Sequence, residues 1–246
     1  MKTDSFETIF KDKNRVLVVT AHPDDMELIC GGTVSRLLKT GRQVRTAVMT
    51  NGGKGMRDRT DVLEKEFGEL RLKEQKAAGK ALGLPEAEII NLNIPDGELE
   101  NSVENIEKIV FHIRQFKPDI VISQNPKEVL VRFSDSSRLV NHRDHRHAGL
   151  ITWDAVYPYS RDRGFFPEHF TKCNLTPHTV NFILYSDAYS DPNVQYFEVT
   201  DFIEQRKNAL KQYRSSLTGQ EVDDLMDEIK DGDRYFEPLG YTDKLF

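Results

Sequence analysis

The sequence is poor in cysteine, in tryptophan and in long apolar runs. Its 246 residues include two cysteines and one tryptophan. Cys30 and Cys173 form no paired spacing, which argues against a thiolate zinc site and indicates a reducing compartment. No apolar run approaches the length of a membrane span, and the opening stretch MKTDSFETIFKDKNR lacks the apolar core of a signal peptide. We therefore expect a cytoplasmic protein without a membrane partner.

The sequence also lacks an excess of basic residues. Lysine and arginine together number 34 against 40 acidic residues, which gives a net charge of -6. A nucleic-acid partner is therefore not expected. Neither a repeat nor a low-complexity segment divides the chain, so we expect residues 1–246 to form one domain. Within it, residues 157–178 are expected to form an irregular rim, and the pattern does not assign the tail at 218–246.

Apolar runs alternate with segments of helical period along the first half of the chain. Strands are predicted at RVLVVT, QVRTAVMT, EIINLN and PDIVISQ, with helical segments between them. Because parallel neighbours need crossover helices, this order predicts an α/β fold with a Rossmann-like, mostly parallel sheet flanked by helices. Ligands of such sheets bind beyond the carboxyl ends of the strands, where we expect the active site. Residues 126–140 show no clear period and are predicted to form a long loop.

The first predicted strand ends in AHPDD, and a glycine pair follows. Two adjacent carboxylates repel each other unless a cation lies beside them, which favours a metal site. Pro23 biases His22 away from helical geometry, and Gly31 and Gly32 are expected to let the next helix start close to this turn. The alternative is a plain turn in which an aspartate caps that helix.

Three of the seven histidines crowd into the stretch NHRDHRHAG. Hydrolytic zinc sites commonly take three protein ligands, such as two histidines and one carboxylate, and leave the fourth position for water. His22, Asp25 and His145 match this set, and Asp24 can then face the bound water. HRDHRH alone is also typical of a solvated helix start. Its combination with AHPDD at the ends of elements in one sheet favours metal binding.

The two motifs AHPDDMELICGGT and NHRDHRHAG closely resemble the PIG-L/LmbE-like zinc-dependent N-deacetylases, which remove acetyl groups from N-acetylglucosamine-containing substrates. RLKEQKAAGKALGL and IPDGEL support the resemblance, which extends over residues 16–217. It implies an LmbE-like fold and a hydrolase of linear amide bonds that acts on a small amino-sugar substrate. It also implies one Zn²⁺ per chain, or another divalent ion that suits the same ligands, and a homo-oligomer, trimeric or hexameric.

The resemblance also assigns roles to single residues. It implies that His22, Asp25 and His145 bind the metal and that Asp24 is the general base. In the implied mechanism, zinc acidifies the attacking water and polarises the amide carbonyl, and Asp24 takes the proton of that water.

Four further residues receive roles from the resemblance. His142 is implied to stabilise the oxyanion and to help protonate the leaving amine, with Asp144 tuning it. Arg71 and Asp96 match positions that contact sugar hydroxyls in some members. Arg143 departs from the family pattern, which usually has proline there, but every reacting group is kept.

Two other functions stay open at this stage. One is a metal-dependent hydrolase of a different amide bond or of an ester. The other is a non-catalytic module that binds a metal or a sugar. Asp24 and His142 argue against the second, because binding alone requires no base beside a metal-bound water.

Overall fold

The computed structural model describes residues 2–132, 138–188 and 191–242. The helices of these residues are α1 (Phe6–Phe10), α2 (Asp25–Lys39), α3 (Glu64–Leu82), α4 (Val103–Phe116), α5 (Arg143–Asp154), α6 (Glu168–Thr171), α7 (Ile203–Leu210) and α8 (Gly219–Asp227). The strands are β1 (Arg15–Thr20), β2 (Gln43–Thr50), β3 (Ile89–Ile94), β4 (Ile120–Ser123), β5 (Leu130–Arg132), β6 (Arg138–Val140), β7 (Ile183–Tyr185), β8 (Val194–Glu198), β9 (Lys230–Asp231) and β10 (Arg234–Thr242). Short turns of 3₁₀-helix cover Glu86–Glu88 and Thr200–Phe202, and a π-helical turn covers Ala155–Tyr159.

One sheet forms the centre of the structure, with strand order β3-β2-β1-β4-β7-β10-β8. The first five strands of this order run parallel, and β10 is antiparallel to both β7 and β8. β9 pairs with the start of β10. Val18 of β1 lies opposite Thr46 of β2 and Ile122 of β4, which fixes the register at the centre. The predicted Rossmann-like, mostly parallel sheet is therefore observed.

β1 separates two hydrophobic cores because its successive side chains point to opposite faces of the sheet. Val16 and Val18 belong to the core that contains residues of α1 and α2, whereas Leu17 and Val19 belong to the core that contains residues of α4 and α5. All four side chains are fully buried. This two-sided burial explains why the strand reads as an uninterrupted apolar run.

The glycine pair has a different role from the one expected. α2 already begins at Asp25, six residues before Gly31, and it is kinked at Cys30. The backbone N–H groups of Gly32 and Thr33 donate hydrogen bonds of 2.8 and 2.7 Å to the buried carboxylate of Glu237 in β10. The pair therefore allows a close approach of α2 to its neighbours and is not needed to start the helix.

The predicted loop at 126–140 is more ordered than its sequence pattern indicates. β5 and β6 pair antiparallel within it, with Leu130 opposite Val140 and Val131 opposite Leu139. Residues 133–137, which complete the predicted loop, lie outside the described residues. We call the two paired strands the β5–β6 hairpin.

In the segment predicted as an irregular rim, several backbone carbonyls are bound by one buried arginine of helix α4. The guanidinium of Arg114 in α4 donates hydrogen bonds to the backbone carbonyls of Tyr159, Ser160, Asp162 and Phe165. In the unassigned tail, residues up to Thr242 form α8, β9 and β10. Among the helices of the described residues, none combines the length and the apolar character that crossing a bilayer requires.

Candidate active site

The predicted site residues come together at the carboxyl edge of the parallel strands. The turn after β1 carries His22, Asp24 and Asp25, and the segment after β3 carries Asp96. The start of α5 places three more predicted residues, His142, Asp144 and His145, at the same edge. Ring centroids of His22 lie 4.7 Å from His142 and 5.1 Å from His145.

One ring nitrogen of His22, one of His145 and the carboxylate of Asp25 surround one point. His145 Nε2 lies 3.2 Å from His22 Nδ1 and 3.2 Å from Asp25 Oδ1, and His22 Nδ1 lies 3.5 Å from Asp25 Oδ2. Zinc–ligand bonds of 2.0–2.1 Å in tetrahedral geometry separate two ligand atoms by about 3.3 Å. The observed spacings therefore suit a tetrahedral zinc ion with one further position for a non-protein ligand.

The other polar atoms of these three side chains are held by hydrogen bonds that orient them. His145 Nδ1 lies 3.1 Å from Asn141 Oδ1, and His22 Nε2 lies 3.1 Å from Asp96 Oδ1. Asp25 Oδ2 accepts hydrogen bonds from the backbone N–H of His22 and from Gln124 Nε2. Each imidazole is thus fixed with its remaining nitrogen toward the common point, the usual arrangement around protein metal ions.

The charge around this point also favours a cation. Burial lowers the pKa of His22, but the carboxylates of Asp144, Asp25 and Asp96 outweigh it and raise that pKa well above the ordinary value of 6.5. Burial likewise opposes ionisation of Asp25, yet the histidines hold its pKa well below the ordinary value. The cluster therefore attracts positive charge, which a divalent ion can supply in place of protons.

Asp24 occupies a strained position next to this cluster. Its φ of 101° and ψ of -26° are in the left-handed region, which is uncommon for a residue with a side chain. It stands at the N-cap of α2, but its side chain makes no capping hydrogen bond, so the plain capping turn is not what forms here. Instead, Asp24 Oδ2 accepts a hydrogen bond of 2.8 Å from Arg71 Nη2. Burial raises the pKa of Asp24, and Arg71 opposes this rise.

His142 and Asp144 are connected differently from the arrangement expected. The backbone N–H of Asp144 donates a hydrogen bond of 3.1 Å to His142 Nδ1, which makes His142 the side-chain cap of α5. The Asp144 carboxylate lies 3.5 Å from His22 Nε2 and accepts a hydrogen bond from the backbone N–H of Gly97. Burial, together with His22 and His145, lowers the pKa of His142. A neutral His142 therefore carries its proton on Nε2.

Arg71 and Asp96 face the cluster itself. Arg71 is 4% exposed, and besides Asp24 its guanidinium contacts the carbonyl oxygen of Pro23 and the hydroxyl of Ser216. Asp96 accepts a hydrogen bond from the backbone N–H of Lys54 in addition to its contact with His22. Both side chains therefore support residues of the turn after β1.

Sequence reasoning missed Gln124 and Asn141, which hold Asp25 and His145 respectively. Two signals could have found them. Gln124 is the last residue of the predicted strand PDIVISQ and is therefore at the carboxyl edge, and Asn141 lies four residues before His145, one helical turn away. Ser216 follows a helix late in the chain, and no local pattern connects it with Arg71.

The chain is similar to several known proteins. Diacetylchitobiose deacetylase of Thermococcus kodakarensis is 29% identical over 208 residues, which cover 85% of this chain and 72% of that protein. The solved structure of N,N'-diacetylchitobiose deacetylase from Pyrococcus horikoshii, complexed with its inhibitor MPG, has a TM-score of 0.83 and 26% identity. That similarity covers 98% of this chain and 88% of the Pyrococcus chain.

The fold alone does not fix the reaction. GalB of Pseudomonas putida, described as a 4-carboxy-2-hydroxymuconate hydratase, has a TM-score of 0.74 with 14% identity, over 93% of this chain and 96% of that chain. This likeness shows a shared fold only. The sequence of this chain, however, matches a family profile described as GlcNAc-PI de-N-acetylase over residues 17–156. The expected LmbE-like fold and N-deacetylase class are confirmed, and the chain belongs to the PIG-L family.

Proposed function

We propose that this protein is a zinc-dependent hydrolase that removes the acetyl group from an N-acetylated amino sugar of the N-acetylglucosamine type. The observation that carries the proposal is the grouping of His22, Asp25 and His145, in which His22 Nδ1 and Asp25 Oδ1 each lie 3.2 Å from His145 Nε2. Asp24, the residue before Asp25, is the candidate base. The similar proteins from Thermococcus kodakarensis and Pyrococcus horikoshii are diacetylchitobiose deacetylases, which supports the amino-sugar class.

In this proposal, the bound zinc would lower the pKa of a water molecule and polarise the amide carbonyl. Asp24 takes a proton from that water. Its raised pKa brings the carboxylate closer to the working pH of a base. Arg71 orients Asp24 through the 2.8 Å hydrogen bond to Oδ2.

His142 is assigned to the oxyanion that forms when the carbonyl is attacked. Because its Nδ1 accepts the Asp144 N–H, a neutral His142 donates from Nε2 and needs no extra proton for this role. The departing nitrogen requires a proton, and the one that Asp24 has just accepted is available. Of the two possible donors of this proton, His142 and Asp24, the lowered pKa of His142 favours Asp24.

The experiment that tests the proposal replaces Asp24 with asparagine, which keeps the shape of the side chain and removes its basicity. The Asp24→Asn variant is expected to bind zinc like the wild type and to release acetate from N-acetylglucosamine glycosides roughly 10²- to 10⁴-fold more slowly. His145→Ala is the companion variant, and it is expected to lose both metal and activity. Full activity of Asp24→Asn would remove the proposed base.

A further inference from the structure

A cavity of about 380 Å³ begins at the metal-binding cluster. Asp25, His142 and His145 line its inner end. Pockets for small molecules in proteins typically have about 300–1,000 Å³, so this cavity accepts more than an acetyl group.

The wall of this cavity is predominantly apolar. It includes Leu28 and Ile29 of α2, Val131 and Leu139 of the β5–β6 hairpin, and Leu225 and Ile229 at the end of α8. Leu139 and Val140, which also lines the cavity, are 58% and 75% exposed. Exposed apolar side chains that continue the wall of a ligand cavity are a typical sign of a binding surface.

Carboxylates predominate among the charged side chains of the lining. Asp187 and Glu228 contribute carboxylates to the cavity. The guanidinium of Arg206 is engaged elsewhere, 3.2 Å from the Glu237 carboxylate and hydrogen-bonded to the carbonyl of Leu28. Of the lining residues that the structure describes, none is a lysine, so a phosphate or carboxylate would meet like charge here.

We propose that the substrate is an N-acetyl amino sugar with an uncharged, apolar aglycone, and that this aglycone lies against the β5–β6 hairpin and α8. The proposal rests on the deacetylase function proposed above and names its substrate class. Apolar area removed from water favours such a ligand in proportion to its size. The carboxylates of Asp187 and Glu228 remain available to accept hydrogen bonds from sugar hydroxyls.

The test measures kcat/KM for acetate release from the methyl, octyl and phenyl glycosides of N-acetylglucosamine and from N-acetylglucosamine 1-phosphate. We expect the octyl and phenyl glycosides to exceed the methyl glycoside at least about tenfold, and the phosphate to be the poorest substrate. A methyl glycoside whose amide carries hexanoyl instead of acetyl tests whether the cavity holds a longer acyl chain.

The β5–β6 hairpin offers a matched pair of variants. Leu139 lines the cavity, whereas Leu130 on the paired strand does not, and the two are 58% and 54% exposed. Leu139→Ser is expected to lower the octyl-to-methyl ratio of kcat/KM several-fold, and Leu130→Ser to leave this ratio unchanged.

The outcomes separate the two proposals. Equal rates on all glycosides, or a preference for hexanoyl over acetyl with none for octyl over methyl, would overturn the apolar aglycone and leave the deacetylase intact. An equal fall of the ratio in both hairpin variants would also count against it. No acetate from any sugar, with zinc confirmed bound, would overturn both.

Discussion

Arg71 is the residue whose neighbours separate two interpretations most clearly. The family resemblance implies a contact with sugar hydroxyls, whereas the structure shows its guanidinium on Asp24 and on the carbonyl of Pro23. A planar fork can hold two oxygens at once, which the ammonium group of lysine does not reproduce. Arg71 therefore has the geometry of a residue that positions the proposed base.

Replacing Arg71 with lysine is expected to lower kcat roughly 10- to 100-fold and to leave KM and zinc affinity within a few-fold, because the change misplaces Asp24 and not the substrate. Steady-state kinetics with a metal titration measures all three quantities. Arg45→Lys is the control. Arg45 Nε lies 2.5 Å from Glu88 Oε2, and this ion pair is not part of the site. A raised KM with unchanged kcat in Arg71→Lys would instead support the sugar contact.

At the scale of elements, the kinked helix α2, which begins at the site, is bound to β10. Cys30 has φ of -150° and ψ of 26°, which interrupts the helical geometry of α2 just before Gly32 and Thr33. The Glu237 carboxylate accepts hydrogen bonds from the N–H groups of both residues and lies 3.2 Å from Arg206. A buried carboxylate is stable here because hydrogen bonds and one buried cation compensate its charge.

Gly32→Ala tests this packing, because a Cβ at Gly32 would stand 2.6 Å from Cβ of Val199. The substitution is expected to lower the free energy of unfolding by about 1–3 kcal/mol, the usual cost of overpacking. Urea denaturation measures the change. Gly219→Ala serves as the control, since nothing lies within 4 Å of its added Cβ. Equal stability of the two variants would show that α2 can move away from Val199.

Prediction from sequence worked best where one local pattern determines the outcome. The apolar run of β1 predicted a strand buried on both faces, and the two motifs predicted which residues belong to the site. The hydrogen bonds between α2 and Glu237 were not, because they join residues 205 and 204 positions apart. Gly31 and Gly32 were therefore assigned to the start of the helix, although their small size matters for packing in its interior. The structure of the tail could not be predicted for a similar reason. Its strand β10 pairs with β7 and β8, and the local sequence does not show these partners.

At the scale of the whole molecule, the position of β10 in the sheet indicates that the chain unfolds as one cooperative unit. β10 comes late in the chain but pairs with both β7 and β8, and its Phe236 and Leu239 are fully buried. We propose on this basis that residues 1–246 fold as a single domain. The stability of such a unit responds to every buried titratable group.

His112 makes the stability of the molecule dependent on pH. Burial lowers its pKa to about 4 from the ordinary 6.5, with Arg45 adding to the effect. Between these pH values the unfolded chain binds a proton that the folded chain does not, so stability falls as the pH falls from 6.5 to 4. Relative to His112→Gln, the wild type is expected to lose about 2–3 kcal/mol of unfolding free energy between pH 7 and pH 4. Urea denaturation at both pH values gives this difference, and a difference that does not change with pH would contradict the assigned burial.

The most direct test of the central claim is acetate release as a function of bound zinc. The protein is stripped with a chelator, its metal content is measured, and Zn²⁺ is added back in fractions of one equivalent with an N-acetylglucosamine glycoside as substrate. If His22, Asp25 and His145 form the single metal site of a deacetylase, activity should be absent without metal, rise in proportion to added zinc and level off at one equivalent. Full acetate release by protein shown to be free of metal would contradict the account.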